Sequence, residues 1–510
     1  MHRRVIYELS RRRWLILALL IGLVLMLLPR PPAMRLSPEK ALALLTEDGR
    51  RMLVITIVAT ILFITEPIPL PTVALLIVVA QAVLVEAATP SEVARSLMND
   101  SVLFIMGSLM LAAAMVRQRL EPRIALAMLR LTGPNLSRLM LGIMVVCALI
   151  ASIVGEHSVA AIMLPVVLLL LDLTGERGKA QPSLAPLLLL SVAFGCAAGS
   201  IGTPSGGARN AIILEYWRTI PSPPIHVGYV DWIKYIYPMV LVQTPVIVLL
   251  LSRTFRCDHI DLTEGVSRLK QQIAREGRMG GREWLAVALF VLILAGWVGL
   301  GQRIGIGIVA VLGASLFLVC GLVEWDDYNR GVNWGVVLLY ASAISMGVAM
   351  QKTGAAEWIA TAALRLFMLL QLSQPLVLLV FFAVVTGALA NCMSPGAAAA
   401  VTGPVFFAMA ATAGVSLAYT GFVIAVGAGF GYLTPMGRPS SLIIHASGYV
   451  RSSDFLRIGW KVIVAATLIL VLMAWLYWPH LAPPPTGRTV SLPNVVTLSQ
   501  ARTLLEAMPR

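Results

Sequence analysis

Charged side chains are scarce in this sequence. Aspartate, glutamate, lysine and arginine together make up 13% of its 510 residues, against about a quarter in a soluble globular chain, whereas hydrophobic residues reach 58%. A surface so poor in charge excludes an ordinary soluble domain. The apolar residues also come in long runs: Trp14 to Leu28, Met52 to Thr65, Thr72 to Val85, Val102 to Met115, Leu139 to Val154 and Leu285 to Leu300. A hydrocarbon core about 30 Å thick asks for roughly 20 apolar residues per helix. The fold class expected is therefore an all-α polytopic membrane protein whose surroundings are the lipid bilayer.

Negative charge is scarcer still, with 25 acidic residues against 39 basic ones and a net charge of +14. In a soluble domain that excess would point to nucleic acid. Here the arginines gather at the ends of apolar runs, where they report orientation, and no nucleic-acid partner is expected. Arg3, Arg4, Arg11, Arg12 and Arg13 precede the first run. Arg117, Arg119, Arg123, Arg130 and Arg138 form a second group, and Arg253, Arg256, Arg268, Lys270, Arg275, Arg278 and Arg282 a third. An even number of crossings between the groups puts all three, and the N-terminus, on the cytoplasmic side of the cell (inner or plasma) membrane.

The signatures of enzymes are missing. Cys147, Cys196, Cys257, Cys320 and Cys392 have no metal-ligand spacing. Glu156-His157 lacks the second histidine of a zinc-binding H-E-x-x-H helix, no G-x-S-x-G turn supplies a nucleophile, and no phosphate-binding loop would support ATP-driven pumping. Neither catalysis nor a cofactor is expected. No small-residue cleavage site follows the first run in Leu28-Pro29-Arg30-Pro31-Pro32, so a retained first helix is expected.

Internal symmetry is the most informative feature present. The run starting at Val102 resembles the one starting at Val337, with Ala114-Met115 falling on Ala349-Met350 and Arg117 on Lys352. At the same offset Gly202-Thr203-Pro204 meets Gly437-Arg438-Pro439, and Pro165 meets Pro404 after a shift of four. Secondary transporters carry such echoes because they are built from inverted repeats. The division expected is a first repeat over 1–251, a basic cytoplasmic loop over 252–283, a second repeat over 284–478 and a tail over 479–510.

Each repeat holds two apolar stretches interrupted by small, polar or charged residues. In lipid such breaks survive only where the freed backbone is buried in protein or lines a cavity. They fall at Val154-Gly155-Glu156-His157-Ser158, at 199–207, at Asn391-Cys392-Met393-Ser394-Pro395-Gly396 and at 434–441. The first and third read as tips of re-entrant hairpins over about 138–171 and 375–411. The second and fourth read as broken helices over about 186–218 and 415–446, beside about eleven spanning helices. Helix N-termini at the tips would point N–H groups and partial positive charge at a small anionic substrate.

The sequence resembles the divalent anion/sodium symporter family, whose members carry dicarboxylates, citrate or sulfate. The resemblance rests on Thr65-Glu66-Pro67-Ile68-Pro69-Leu70, on the AAIMLP run from Ala160 to Pro165, on Gly202-Thr203-Pro204, and on His445-Ala446-Ser447-Gly448-Tyr449-Val450. It implies a homodimer of elevator-type transporters with sodium and substrate held at Ser-Asn-Thr hairpin tips. Here both tips differ. Counted back from Pro165 and Pro404, they become Gly155-Glu156-His157 and Ser394-Pro395-Gly396; the loop threonine of the second repeat is Arg438, and Arg209 precedes Asn210 in a lengthened first loop.

The candidate substrate- and ion-binding residues are thus Gly155, Glu156, His157, Thr203, Pro204, Asn210, Ser394, Pro395, Gly396, Arg438 and Pro439, with sodium, if any, near Gly155 and Ser394. Arg438 either meets the substrate or pairs with a carboxylate such as Glu156; Arg209 is expected to snorkel at a helix end. Sodium coupling is what the resemblance implies. The altered tips favour a proton, through Glu156 or His157, or a counter-anion. The function expected is secondary transport of a small multivalent anion, the alternative being a non-transporting membrane scaffold or regulatory protein with a degenerate site. His445 is expected to satisfy a backbone carbonyl, Glu66 to cap a helix, and Trp217, Tyr235, Tyr237, Trp325, Trp334 and Trp478 to form an interfacial belt.

Overall fold

The computed structural model describes residues 2–29, 31, 45–118, 132, 135–173, 183–257, 267, 279–372 and 374–481. Every regular element among them is helical. Seven helical segments are long and apolar enough to cross a membrane, and six shorter apolar helices accompany them. Large aliphatic side chains such as Leu19, Val79, Val83, Val291, Leu292 and Val319 stand exposed on the outside of these helices. In water so much exposed apolar surface would be a liability; in a bilayer it is the contact that lipid requires.

After the first helix, His2–Leu27, the two halves present their elements in the same order. Glu47–Thr65 and Leu70–Leu84 correspond to Gly281–Gly299 and Ile306–Val319, and the short helices Pro90–Leu97 and Trp325–Gly331 lead into Asp100–Arg117 and Trp334–Lys352. Both of these last helices start at an asparagine cap: Asn99 accepts from the Val102 N–H and Asn333 from that of Val336. A hairpin follows, Leu136–Val154 with Glu156–Leu173 in the first half and Pro375–Ala390 with Pro395–Ala413 in the second. Then comes a broken helix, Leu184–Gly199 with Ala208–Thr219, matched by Leu417–Gly427 with Pro439–Ala446. Much of the basic loop expected at 252–283, the arginines at 119, 123 and 130, and most of the tail at 479–510 lie outside the described residues.

Packing between the halves is reciprocal. Asp100–Arg117 packs on Ile306–Val319 while Trp334–Lys352 packs on Leu70–Leu84. Likewise Ala208–Thr219 packs on Pro395–Ala413 of the second hairpin, and Pro439–Ala446 on Glu156–Leu173 of the first. Within the first half, Gly195 and Gly199 lie on the backbone of Met144 and Ala148, so that any side chain there would collide with the facing helix. This is the small-xxx-small contact by which helices approach closely in lipid, where no hydrophobic drive brings them together. It fixes the broken helix against the hairpin and thereby the position of both breaks.

Glu66 ends the Glu47–Thr65 helix in a left-handed conformation, as a cap residue does, and His445 Nδ1 lies 2.8 Å from the Val450 carbonyl. The aromatic belt requires correction. Trp217, Tyr235 and Trp478 are buried and form, with Trp232 and Phe422, one interior cluster. Their indoles donate to main-chain carbonyls of neighbouring helices, Trp217 to Leu417 and Trp478 to Tyr235, each at 3.0 Å. A buried tryptophan can satisfy its N–H on such a carbonyl instead of at the headgroups, and only Trp325 of the set is strongly exposed.

Candidate functional site

The first hairpin turns at Gly155, whose φ of +92° and ψ of 150° lie where L side chains are strained. A glycine there lets Glu156 open the next helix immediately, so that the carboxylate sits at a helix N-terminus, where the macrodipole favours it. The second tip is closed by Ser394, whose Oγ accepts from the Ala397 N–H at 3.3 Å. Pro395 has no N–H, so the first backbone donor of that helix belongs to Gly396. Asn391 ties this tip to the second break: Nδ2 donates to Gly387 O and Phe430 O at 2.7 and 3.1 Å, and Oδ1 accepts from the Leu433 N–H at 2.7 Å. Asn210 does the same at the first break, donating to Ser200 O and Thr203 O at 3.0 and 2.7 Å. Side-chain amides thus take up carbonyls that an unbroken helix would have satisfied.

All four breaks meet at one cavity of about 290 Å³. It lies at the small end of the ~300–1,000 Å³ usual for ligand pockets, a size for a small metabolite and not for a lipid or peptide. Gly155, Glu156 and His157 line it from the first tip, Ser394, Pro395 and Gly396 from the second, Pro204 to Arg209 from the first break and Pro439 from the other. Phe104, Ile105, Asn333 and Tyr340 close it from the spanning helices. Tyr340 lies so close over Gly396 that a Cβ at that position would collide with its ring.

Glu156 and Arg209 belong to a buried charged cluster that runs from this wall into the protein. Arg438, 1% exposed, donates from Nε to Glu156 Oε2 at 3.0 Å, with Nη2 in ion-pair contact with the same oxygen at 2.8 Å, from Nη1 to Gly429 O at 2.7 Å, and from Nη2 to Ser200 Oγ at 3.2 Å. Ser440 Oγ adds a bond to the same carboxylate oxygen at 3.3 Å, and the Tyr432 ring covers the guanidinium at 5.5 Å. Arg209, 2% exposed, donates from Nη2 to Ser200 Oγ at 2.8 Å. Its Nε has no hydrogen-bond partner, and it forms no salt bridge among the described residues. Two guanidinium groups therefore share one serine hydroxyl, while the ion pair with Glu156 is made by Arg438. The two like charges repel each other across the shared hydroxyl.

Of the residues singled out from sequence, Gly155, Glu156, His157, Pro204, Ser394, Pro395, Gly396 and Pro439 line the cavity, whereas Thr203, Asn210 and Arg438 do not. Thr203 Oγ1 donates to the Ser152 carbonyl and contacts Ser205 Oγ; Asn210 and Arg438 are engaged as described above. Arg438 thus takes the structural pairing with Glu156. Arg209 does not snorkel: it is buried, its helix packed against the second hairpin and the spanning helices. Arg209, expected at a helix end, lines the cavity instead, and Asn333 and Tyr340 are among the lining residues that motif reading passed over. For Arg209 the signal was present as an arginine two residues after a Gly-Gly break within an otherwise apolar half.

An all-helical polytopic fold with paired hairpins and broken helices around a central cavity walled by Glu156, His157 and Arg209 defines the class: a membrane transporter. The chain belongs to the sodium:sulfate symporter family, whose transmembrane-region model matches residues 9–483. It is 22% identical over 474 residues to the sodium-dependent dicarboxylate transporter SdcS of Staphylococcus saprophyticus, covering 88% of this chain and 89% of that one. It is also 22% identical over 388 residues to an uncharacterized transporter of Haemophilus influenzae, covering 74% and 81%. Among solved structures, MtrF of Neisseria gonorrhoeae, described as illuminating a class of antimetabolite efflux pumps, shares the fold with a TM-score of 0.58 at 11% identity, over 94% of this chain and 97% of that one.

Proposed function

We propose that this protein carries a small multivalent anion, of the di- or tricarboxylate or sulfate class, across the cytoplasmic membrane. The observation that carries the reading is Arg209: a guanidinium 2% exposed, with an unpartnered Nε, at the wall of the cavity. A charge at membrane depth costs at least about 2.5 kcal/mol by insertion scales. It is retained where a partner repays that cost, and the planar fork of an arginine fits a carboxylate or sulfate oxygen pair. The two hairpin N-termini add to the same attraction. SdcS, by its name a sodium-dependent dicarboxylate transporter, supports the substrate class.

The arginines before the first span support a cytoplasmic N-terminus, and the family resemblance supports a homodimer with elevator-type movement of the hairpins. The test is uptake of labelled succinate, citrate and sulfate into vesicles holding the purified protein, under inward gradients of sodium and protons and with counter-anion inside. Saturable uptake of at least one anion, competed by the unlabelled form, is expected. Vesicles that match protein-free controls for every anion and gradient would leave the scaffold alternative standing instead.

A further inference from the structure

We propose that the protein carries a binding site for an anionic phospholipid, outside the central cavity, where the helices Tyr229–Thr254 and Ser452–Leu472 pack together at one face of the membrane. The phosphodiester headgroup meets Arg253, Arg256, Arg457 and Lys461, and the acyl chains lie along the apolar rows that lead away from them. The inference stands apart from the anion-carrier reading.

The two helices run antiparallel. At one end Lys461 Nζ donates to Thr254 Oγ1 at 2.9 Å, and the Arg457 guanidinium lies over the Phe255 ring at 5.4 Å. Beyond the other end the Trp478 indole donates to Tyr235 O at 3.0 Å and the Tyr477 hydroxyl to Lys234 O at 3.1 Å. From Tyr235 to Thr254 a helix rises about 28 Å, the depth of a hydrocarbon core. The pair thus spans the bilayer, with Arg457 and Lys461 drawn to one interface.

The cations gathered there have no counter-charge from the protein. Arg253, Arg256 and Arg457 are exposed and Lys461 is half-buried, and none of the four is in a salt bridge among the described residues. Asp454, the one carboxylate in the first three turns of its helix, is turned back to that helix's own start, where it accepts from the Arg451 N–H at 2.9 Å. What holds Arg457 and Lys461 in place is uncharged, a ring for one and a hydroxyl for the other. The donor fork of Arg457 is left for an outside acceptor, and it fits a pair of phosphate oxygens.

A lipid suits this place better than a soluble anion because apolar rows lead away from the cations. Leu456, Trp460, Val464, Leu468 and Leu472 recur every fourth residue, each more than half exposed, on the row beside Arg457 and Lys461. On the other helix Leu241, Pro245 and Leu249 form a similar exposed row that ends at Arg253. Trp460, whose ring lies 5.9 Å from Lys461 Nζ, stands where an indole prefers the headgroup level. A charged head joined to hydrocarbon chains matches this arrangement, and each cation near an anionic lipid surface adds about five-fold to binding. Bound there, the lipid braces the helices that hold the second break. Gln243 donates to Tyr432 Oη at 2.9 Å, and Gly459 lies so close to the Tyr432 carbonyl that any side chain would collide with it.

The test uses the full chain, purified in detergent and stripped of lipid, titrated with dioleoyl phosphatidylglycerol or dioleoyl phosphatidylcholine and read by native mass spectrometry. Phosphatidylglycerol is expected to bind at least about ten-fold more tightly. Replacing Arg457 and Lys461 together by glutamine should lower its affinity about thirty-fold. Replacing Arg138 and Arg282 together, which removes the same charge elsewhere on the chain, should change it by less than about three-fold. Equal affinity for the two lipids would overturn the proposal, and so would an equal loss in the two double variants, which would assign the preference to delocalised surface charge. A second measurement decides even if the first variant does not fold. The part of the fluorescence lost in Trp460→Phe is expected to be quenched by chain-brominated phosphatidylglycerol at concentrations where chain-brominated phosphatidylcholine has no effect; equal quenching by both would show ordinary solvating lipid only.

Discussion

Replacing Glu156 by glutamine separates charge from shape in the buried cluster. The amide oxygen can still accept from Arg438 Nε and Ser440 Oγ, which the carboxylate does at 3.0 and 3.3 Å, but the negative charge is lost. Breaking a buried ion pair by removing one partner costs about 3–5 kcal/mol; a retained hydrogen bond returns about 1 kcal/mol. Glu156→Gln should therefore lose about 2–4 kcal/mol of stability in chemical unfolding of the detergent-purified protein. Arg438→Met strands the carboxylate and should lose about 3–5 kcal/mol. The double variant leaves neither member of that pair as a stranded charge and is expected within about 1–2 kcal/mol of wild type, giving a coupling of about 5 kcal/mol in the cycle. Single effects that add to within about 0.5 kcal/mol would show that the two side chains do not stabilise one another, and the account of a sealed internal pair would fail.

Two further substitutions probe how the site is held. Asp100 accepts from Arg218 Nη1 at 2.6 Å and from the Gly307 N–H at 2.9 Å, joining the halves. Because that pair is partly exposed, Asp100→Asn should cost only about 1 kcal/mol, read by the same unfolding assay, and a loss above about 3 kcal/mol would mean that the seam depends on it far more. Gly396→Ala puts a methyl group into the Tyr340 ring; the ring must move into the cavity, so uptake should fall at least about ten-fold with the protein still folded by size-exclusion, and unchanged uptake would show that Tyr340 does not bound the substrate volume.

The breaks were legible because lipid makes them so costly. Gly155 beside Glu156, the Ser394-Pro395-Gly396 tip and the glycines from 199 to 207 stand out from the apolar runs around them, and each falls where one helix ends and the next begins. Which way a charged side chain turns was not legible. Arg209 and Arg438 occupy similar places after their breaks, yet the first faces the cavity and the second is bound to Glu156, 282 positions away in the chain. That pairing depends on the crossing of two helices and leaves no local pattern. The same holds for Trp217 and Trp478, which face inward and donate to the carbonyls of Leu417 and Tyr235 on other helices.

The central claim is that the unpaired guanidinium of Arg209 is what the anion meets. Equilibrium binding of labelled succinate and sulfate to the purified protein, compared between wild type and Arg209→Gln with folding checked by size-exclusion, tests it without any assumption about coupling. Loss of a buried, charge-assisted partner costs about 2–5 kcal/mol, so the affinity for the bound anion should fall by at least about thirty-fold. Arg209→Lys should fall between the two, since it restores the charge but not the fork. A glutamine variant that binds the anion as tightly as wild type would contradict the account.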